Sequence, residues 1–330
     1  MLIITAPGQG AQTPGFLSPW LELPGVAEQV GAWSELADRD LIRLGTTGGA
    51  EEITDTAVAQ PLLVAAALAA AGLLPGAPDA VAGHSVGELG AGAIAGVLSA
   101  ADAMRLVRVR GAAMAAACGY TAAGDQEHDS PERSGMIAVL GGQEAAVLAA
   151  IEAAGLTPAN VNGAGQIVAG GTLAQLAAFT ADPPAGARLR PLQVAGAFHT
   201  RHMAPAVGAL AAAASGVVAK DPEIILLSNA DGAVVASGQA WLERVVAQVA
   251  TPVRWDLCMA TMSDIGVTAL LELPPAGTLT GLAKRALKGV ETLALKTPDQ
   301  LDAARALIAA HGEQDSAGHK VARLEPEEAQ

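Results

Sequence analysis

Short apolar runs that end in glycine-rich turns alternate with longer alanine-rich runs along this chain of 330 residues. Two of the short runs, Leu2 to Ala6 and Asp79 to Gly83, have the composition of buried strands. Each is followed by a glycine-bearing turn and then by a segment with the composition of a helix. Strands that alternate with helices in this way indicate an α/β fold.

Composition excludes several classes of protein. The net charge of −14 and the aromatic content of 2% argue against nucleic-acid binding, which needs a basic surface and stacking rings. Two cysteines, Cys118 and Cys258, exclude a disulfide framework and a four-thiolate zinc site, and they favour a reducing compartment. The N-terminus lacks the features of a secretory signal, and the longest uncharged run is broken by Pro75 and Gly76. We therefore expect a cytoplasmic protein without a membrane span.

A change in composition near the middle of the chain indicates a second unit. Residues 135–194 follow the order β-α-β-(β)-α-β, with one strand-like run predicted from Val161 to Ala169. This order suggests a split βαβ unit inserted into an α/β host. The predicted organisation is a core of residues 1–134 and 195–311, a small subdomain of residues 135–194, and a flexible tail of residues 312–330.

Other elements are predicted from glycine, proline and apolar spacing. A helix is expected from Gln60 to Leu74, and the glycine-bearing segment from Gly45 to Glu52 is expected to be a loop. A second, polar loop is predicted from Thr121 to Ser134. Val267 to Leu273 is the last predicted strand.

A glycine-flanked serine follows the second strand. Gly83-His84-Ser85-Val86-Gly87 matches the pattern G-x-S-x-G between a predicted strand and a predicted helix, which is the context of a nucleophile elbow. Such a turn exposes the serine at a helix N-terminus, where the amide of Val86 is well placed to receive an oxyanion. The alternative is a tight turn with an inert serine. The flanking strand and helix favour Ser85 as a nucleophile.

A serine nucleophile needs a base. His84 adjoins the serine and is expected to point away from it. Three further histidines lie in the polar loop or at or in the tail: His128, His311 and His319. His199 and His202 remain, just before a predicted helix, and one of them is the expected base. The pair could also suggest a metal, but no third ligand of metal spacing accompanies it, so no metal site is predicted.

A series of short motifs stands in a fixed order from Leu2 to Leu287. They are Pro7-Gly8-Gln9-Gly10-Ala11-Gln12, Gln60-Pro61, Gly83-His84-Ser85-Val86-Gly87-Glu88, Arg110-Gly111 with Met114, Asn160-Val161-Asn162, Gly196-Ala197-Phe198-His199, Gln248 with Pro252-Val253-Arg254-Trp255, and Leu279-Thr280-Gly281-Leu282. In this order they resemble the malonyl-CoA:acyl carrier protein transacylases and the related acyltransferase domains of polyketide synthases. The resemblance covers nearly the whole chain, and the set of motifs is far more specific than the elbow alone.

The resemblance implies a role for each of these positions. Ser85 would be the acylated nucleophile and His199 its base, and the amides of Gln9 and Val86 would form the oxyanion hole. Gln248 would orient His199 through a main-chain carbonyl. Four positions would contact the substrate: Arg110, which would hold the malonyl carboxylate, Phe198, Met114 and Asn162. The implied fold is an α/β hydrolase-like core with an inserted ferredoxin-like subdomain. No cofactor is implied, because malonyl-CoA is the substrate and the partner, acyl carrier protein, supplies the phosphopantetheine.

Arg110 also fits this role by its own chemistry. It lies on a largely apolar helix predicted from Ala101 to Cys118, at a position expected to face inward. A guanidinium can bind a carboxylate through two parallel hydrogen bonds. The alternative is a buried salt bridge to an acid such as Glu88.

The residue before the base bears on substrate choice. Related domains that take malonyl units resemble the Ala-Phe-His found here, whereas methylmalonyl-specific domains usually carry Ala-Ser-His. The ring of Phe198 would crowd an α-methyl group, a difference worth about 1–3 kcal/mol, so we expect a strong but not absolute preference for malonyl. The alternative is that Phe198 packs the junction between core and subdomain.

The expected reaction is ping-pong transfer of a malonyl group to the carrier thiol, in fatty acid or polyketide synthesis. Two other functions stay open. A thioesterase or esterase would use serine, acid and histidine in that order, but no acid between Ser85 and His199 lies at a convincing strand end. A non-catalytic carrier-binding subunit would have an unreactive Ser85.

The glycine-rich loop after the first strand could also be interpreted as a dinucleotide-binding fingerprint. Gly8-x-Gly10 matches its first two glycines, but the third glycine would have to be at position 13, which is Thr13, so the match is poor.

Contact with an acidic carrier protein needs a basic patch on this acidic chain. Six cations are candidates: Arg188, Arg190, Arg201, Lys284, Arg285 and Lys288. The chain departs from the family pattern where Pro274-Pro275-Ala276-Gly277 replaces a frequent Gly-Pro-Gly turn, and in the long, charged loop after Thr121.

Overall fold

The fold is taken from a computed structural model, which describes residues 1–118 and 133–312. The strands are β1 (Leu2–Ala6), β2 (Ala80–Gly83), β3 (Ser134–Gly141), β4 (Thr157–Gly163), β5 (Gln166–Thr172), β6 (Ala187–Pro191), β7 (Ile225–Leu226), β8 (Val253–Arg254), β9 (Ala269–Glu272) and β10 (Glu291–Ala294). The helices are α1 (Ser18–Leu21), α2 (Val26–Ala37), α3 (Leu41–Thr47), α4 (Ala50–Thr54), α5 (Thr56–Ala71), α6 (Gly87–Ile94), α7 (Ala100–Ala117), α8 (Glu144–Ala153), α9 (Leu173–Ala181), α10 (Ala204–Ala214), α11 (Gly238–Gln248), α12 (Trp255–Asp264), α13 (Thr278–Ala286) and α14 (Leu301–His311). Strands and helices alternate, so the predicted α/β class is confirmed.

The larger sheet is parallel throughout and has the strand order β10-β9-β1-β2-β7. Alternate side chains of β1 point to opposite faces, as the pleat of a strand requires. Leu2 and Ile4 join a core cluster with helices such as α5, α7 and α10. Ile3 joins a separate cluster with α12 and α13 on the other face. Because both faces are covered by helices, the central strands are apolar at nearly every position.

The smaller sheet has the strand order β6-β3-β5-β4-β8. Strands β3 to β6 are paired antiparallel, and α8 and α9 pack on them through residues such as Val147, Ile151 and Phe179. β8 comes from the C-terminal half of the chain and pairs in parallel with β4. This sheet therefore extends beyond residues 135–194, and the predicted domain boundaries stay a prediction.

The structure corrects two of the expected elements and adds a strand. The single strand predicted from Val161 to Ala169 is a hairpin, because Ala164 and Gly165 turn the chain with φ of 51° and 73° between β4 and β5. The segment predicted as a loop from Gly45 to Glu52 contains the end of α3 and the start of α4, which an ion pair of 2.6 Å between Arg43 and Glu52 connects. β10 was not predicted, since its four residues, Glu291–Ala294, only pair along the edge strand β9.

The ends of other helices and strands differ from the predicted ends by a few residues. α5 begins at Thr56 rather than Gln60, because the carboxylate of Asp55 accepts a hydrogen bond from the amide of Ala57 and caps the helix. Most of the predicted polar loop and all but residue 312 of the predicted tail lie outside the described residues. Within the described ranges, no helix is long and apolar enough to cross a membrane.

Candidate active site

The G-x-S-x-G segment forms a tight turn between β2 and α6, close to the carboxyl end of β1. Ser85 adopts a φ of 55°, in the left-handed region that residues other than glycine rarely occupy. The flanking glycines permit this turn. A Cβ atom at Gly83 would overlap the carbonyl of Gly87, and a Cβ atom at Gly87 would overlap the carbonyl of Ala6. The turn therefore presents the Ser85 side chain at the N-terminus of α6.

His199 lies directly against this serine. Its Nε2 is 2.7 Å from Ser85 Oγ, and its Nδ1 is 2.9 Å from the main-chain carbonyl oxygen of Gln248. A carbonyl oxygen can only accept, so Nδ1 carries the proton and Nε2 presents a lone pair to the serine hydroxyl. Its own amide also donates to the carbonyl of Val249, at 3.2 Å. These contacts come from the end of α11 and fix the ring in a position to accept a proton.

The surroundings of His199 keep it uncharged. Burial and then the nearby Arg110 cation lower the pKa of His199 to about 3, although the hydrogen bond with the Gln248 carbonyl acts in the opposite direction. The imidazole is therefore neutral at pH 7 and free to act as a base.

Arg110 is a buried cation beside the same hydroxyl. It lies on α7 with 1% of its surface exposed. One guanidinium nitrogen donates to Gln60 Oε1 at 2.8 Å, and the other donates to Ser85 Oγ at 3.2 Å and to Gln248 Oε1 at 3.4 Å. Burial lowers the pKa of Arg110 to about 10, so it stays charged at neutral pH.

The expected alternative for Arg110, an ion pair with Glu88, is not formed. Among residues 1–118 and 133–312, no carboxylate oxygen lies within 4.0 Å of the guanidinium. Glu88 instead accepts a hydrogen bond from the amide of Asn229 at 2.9 Å, and burial raises the pKa of Glu88 to about 8. A buried cation with only neutral partners is suited to bind an anionic group of a ligand.

A cavity of about 310 Å³ opens beside Ser85, between the two sheets. The residues that line it come from segments on both sides of Ser85 in the sequence, and they include Gln9, Gln60, Val86, Met114, Asn162, Phe198, His199 and Leu279. The amides of Gln9 and Val86 have no hydrogen-bond acceptor within the described part of the chain. Two residues that line the cavity next to the hydroxyl thus have an unpaired main-chain N–H group, the kind of donor that receives the negative oxygen of a tetrahedral intermediate.

Three further predicted residues line this cavity and also serve the packing. Asn162 Oδ1 lies 2.9 Å from Nε2 of His84, so this contact joins the smaller sheet to the elbow. Met114 Sδ accepts a hydrogen bond from Gln60 Nε2 at 3.4 Å. Phe198 is 7% exposed and belongs to the large core cluster while one side faces the cavity, so both interpretations of this ring are compatible with its position.

The remaining histidines lie elsewhere. His202 is half-buried on a short 3₁₀ helix, where its amide donates to Thr200 Oγ1. His311 contacts Thr268 and Glu291 beside the sheet edge. His128 and His319 are outside the described residues. In the two described ranges, no group of three or more His, Cys, Asp or Glu side chains could hold a metal.

Sequence reasoning missed Asn229, whose side chain contacts the main chain of Ser85 and Gly83. No motif spacing points to it, since 144 residues separate it from the serine. One signal was present. Asn229 follows β7, and polar residues after neighbouring parallel strands meet at one edge of a sheet. Gln60 was noted only as part of a motif, without the contact to Arg110 that the structure shows.

Comparison with known proteins gives the family. Residues 7–321 match the acyl transferase domain family. The malonyl CoA-acyl carrier protein transacylase of Mycobacterium tuberculosis (strain H37Rv) is 54% identical over 308 residues, which are 92% of this chain and 98% of that protein. The crystal structure of MCAT from Mycobacterium tuberculosis has a TM-score of 0.86 and 54% identity, covering 92% of this chain and 99% of that one.

A solved structure of a type II PKS acyl-carrier protein in complex with its malonyl-transacylase also matches. Its TM-score is 0.83 at 30% identity, and the match covers 92% of this chain and 99% of that one. The matched residues include the elbow, the buried arginine and the histidine described above. This chain is a member of the acyl transferase domain family.

Proposed function

We propose that the protein transfers the malonyl group of malonyl-CoA to the phosphopantetheine thiol of an acyl carrier protein, in fatty acid or polyketide biosynthesis. One observation carries this proposal. A buried arginine with no carboxylate partner among the described residues lies 3.2 Å from the hydroxyl of a serine that is paired with a neutral histidine. Malonyl-CoA has a partner for each of these groups: its thioester can react with the serine, and its free carboxylate can bind the arginine. The names of the relatives point to the same reaction.

Acylation begins at the serine. His199 Nε2 takes the proton of Ser85 Oγ, and the oxygen attacks the thioester carbonyl carbon of malonyl-CoA. The amides of Gln9 and Val86 donate to the oxyanion of the tetrahedral intermediate. When the carbon–sulfur bond breaks, His199 returns its proton to the sulfur, so CoA leaves as a thiol and malonyl-Ser85 remains.

The second half repeats these steps in reverse. The phosphopantetheine thiol gives its proton to His199, the sulfur attacks the ester carbonyl, and Ser85 Oγ leaves with the proton from His199. No cofactor takes part in either half. Arg110 binds the malonyl carboxylate throughout, and this contact holds the acyl group out of line for attack by water.

The proposal includes the finer architecture and the substrate preference. The order of β3 to β6 and the two helices packed on them support a ferredoxin-like subdomain. The parallel sheet and its elbow support an α/β hydrolase-like core. Phe198, on the cavity wall next to His199, supports a preference for malonyl over methylmalonyl units.

Intact-mass measurement tests the reaction. The wild-type protein mixed with malonyl-CoA should gain one malonyl group, which holo acyl carrier protein should remove, and Ser85→Ala should gain none. Arg110→Ala should acylate about 100-fold more slowly or worse, because a buried charge partner of the carboxylate is lost. Free malonate without transfer to the carrier would support a thioesterase instead. If the protein forms no adduct and shows no turnover, a carrier-binding subunit is the remaining function.

A further inference from the structure

A buried asparagine holds the main chain of the nucleophile turn on both sides of His84. Asn229 has none of its surface exposed. Its Oδ1 accepts a hydrogen bond from the amide of Ser85 at 2.7 Å, and its Nδ2 donates to the carbonyl of Gly83 at 2.7 Å. One side chain thus joins the last residue of β2 to the residue that carries the reactive hydroxyl.

Asn229 is itself held in place by hydrogen bonds. Its own amide donates to Glu88 Oε1 at 2.9 Å, and its carbonyl accepts from the amide of Arg254 at 2.8 Å. Main-chain N–H groups only donate and carbonyl oxygens only accept, so the orientation of the side-chain amide is determined as well. Both of its main-chain groups and both of its side-chain polar atoms therefore have partners.

The turn needs such a restraint. A residue other than glycine in the left-handed region costs about 1–3 kcal/mol and persists only where its surroundings enforce it. Ser85 has a φ of 55°, and its amide would otherwise have no acceptor at this helix start. The two hydrogen bonds of Asn229 form only when Gly83 and Ser85 are oriented as the turn requires.

The hydrogen bond between Ser85 and Asn229 also determines which main-chain amides remain free to donate to the substrate. Because the amide of Ser85 is used by Asn229, it cannot donate to an oxyanion. The amide of Val86, the next along the chain, is left unpaired at the cavity, as is the amide of Gln9. Asn229 thereby separates the amide that supports the turn from the amides that are available for catalysis.

We propose that Asn229 is a positioning residue for the acyl transfer, which directs Ser85 Oγ toward His199 and the amide of Val86 into the cavity. Glu88 anchors Asn229 by accepting a hydrogen bond from the main-chain amide of Asn229. The inference rests on the proposed function only in taking Ser85 as the nucleophile. Asn229 touches neither the acyl group nor the base, so its effect is on the rate of acylation and not on the binding of malonyl-CoA.

Single-turnover acylation of Asn229→Ala tests this inference. The maximal rate of malonyl-Ser85 formation should fall about 100-fold, as expected for a misplaced nucleophile. The malonyl-CoA concentration that gives half of this rate should change less than about threefold, because Arg110 and the cavity wall remain. Reaction of Ser85 with phenylmethylsulfonyl fluoride, which has no carboxylate, should slow to a similar extent.

Two further variants separate positioning from loss of packing. Cys258→Ala removes a buried side chain 3.8 Å from Asn229 Nδ2 but neither hydrogen bond to the turn, so at comparable thermal stability it should acylate at the wild-type rate. In Asn229→Asp, burial favours the neutral acid, which can still accept from Ser85 and donate to Gly83. This near-isosteric variant should retain the fold and lose less than about tenfold in rate.

The outcomes are distinguishable. A wild-type rate in folded Asn229→Ala, an equal loss in Cys258→Ala, or an Asn229→Asp variant as slow as Asn229→Ala would each overturn the inference. If the wild-type protein itself forms no malonyl adduct, the proposed function fails. The sulfonyl fluoride rates of wild type and Asn229→Ala then still decide whether Asn229 positions Ser85.

Discussion

Two side chains converge on the hydroxyl group of Ser85, and the charge of one of them affects the basicity of the other. Ser85 Oγ contacts the neutral base His199 and the cation Arg110 at 2.7 and 3.2 Å. The Arg110 charge is one of the causes that lower the pKa of His199. A malonyl carboxylate bound to Arg110 would offset this charge and raise the basicity of His199. The site would therefore acquire its stronger base when the acyl group with the right charge is bound.

This coupling predicts a pH dependence. With a His199 pKa of about 3, well below the ordinary 6.5, the free enzyme keeps its base unprotonated in mild acid. The rate of Ser85 modification by phenylmethylsulfonyl fluoride should therefore show no acid limb between about pH 5 and 8. Arg110→Ala removes one of the causes that lower the pKa, so its acid limb should move to higher pH. Rate constants measured across this range check both statements, and a wild-type limb centred near pH 6.5 would contradict them.

Phe198 is expected to set the preference between acyl groups. Phe198→Ser should raise kcat/KM for methylmalonyl-CoA relative to malonyl-CoA about tenfold or more, because the methyl group gains space beside His199. Phe198→Leu, which keeps most of the apolar volume, is the matched control and should shift the ratio less. Steady-state competition between the two thioesters measures it. An unchanged ratio in Phe198→Ser would mean that the ring only packs the core.

At the scale of elements, two buried glutamates connect the loops around the cavity. Glu272, at the end of β9, accepts hydrogen bonds from the amides of Gly277, Leu279 and Thr280 and so caps α13. Glu88, on α6, holds the segment after β7 through Asn229. Both carboxyl groups lie close to the carboxyl ends of parallel strands, where the loops that form the site have to be held together.

The raised pKa of Glu88 predicts how stability changes with pH. Its folded-state pKa of about 8 lies above the ordinary 4.5, so the folded protein binds an additional proton between these values. This contribution is complete below pH 4.5 and is lost as pH rises toward 8. Glu88→Gln, which cannot titrate, should become more stable relative to wild type as pH rises from about 5 to 9. Urea unfolding of both proteins at several pH values measures this difference, and a constant difference would show that Glu88 is already charged.

Local sequence patterns predicted the elements unevenly. β1, β2 and α7 are nearly where apolar runs, glycine and capping residues placed them. The hairpin of β4 and β5 was missed because its turn at Ala164 and Gly165 lies inside one apolar run. β10 has little apolar character, and its pairing with β9 is a contact between distant parts of the chain. Such contacts leave no periodic signal in a short segment.

At the scale of the whole molecule, the cavity exists because the two sheets meet. The hydrogen bond between His84 and Asn162 and the pairing of β8 with β4 connect them. The candidate cations for carrier binding divide into groups. Arg188 and Arg190 are exposed on β6, whereas Lys284 and Arg285 are exposed on α13, which contacts β4 at the other side of the small sheet. The segments after β6 and at the start of α13 both line the cavity.

This arrangement predicts that cations on both sides of the cavity bind the carrier. Reversing two charges, as Lys284→Glu with Arg285→Glu or as Arg188→Glu with Arg190→Glu, should raise KM for an acidic carrier protein about tenfold. Acylation by malonyl-CoA should be unchanged. Lys220→Glu with Arg305→Glu, which makes the same charge change outside the cavity-lining segments, is the control. Unchanged transfer to the carrier in both test variants would exclude these surfaces.

The order of motifs was enough to indicate the α/β class and the family, and to single out Ser85, His199 and Arg110. Those properties depend on local patterns: a strand, a glycine turn and a helix, or an arginine on an apolar helix face. Whether Arg110 pairs with Glu88, and that Asn229 holds the turn, were decided only by the folded chain. Both depend on contacts between residues far apart in the chain, from 25 residues for Arg110 with Ser85 to 146 for Asn229 with Gly83. The energy of such a contact depends on burial and geometry that no short pattern contains.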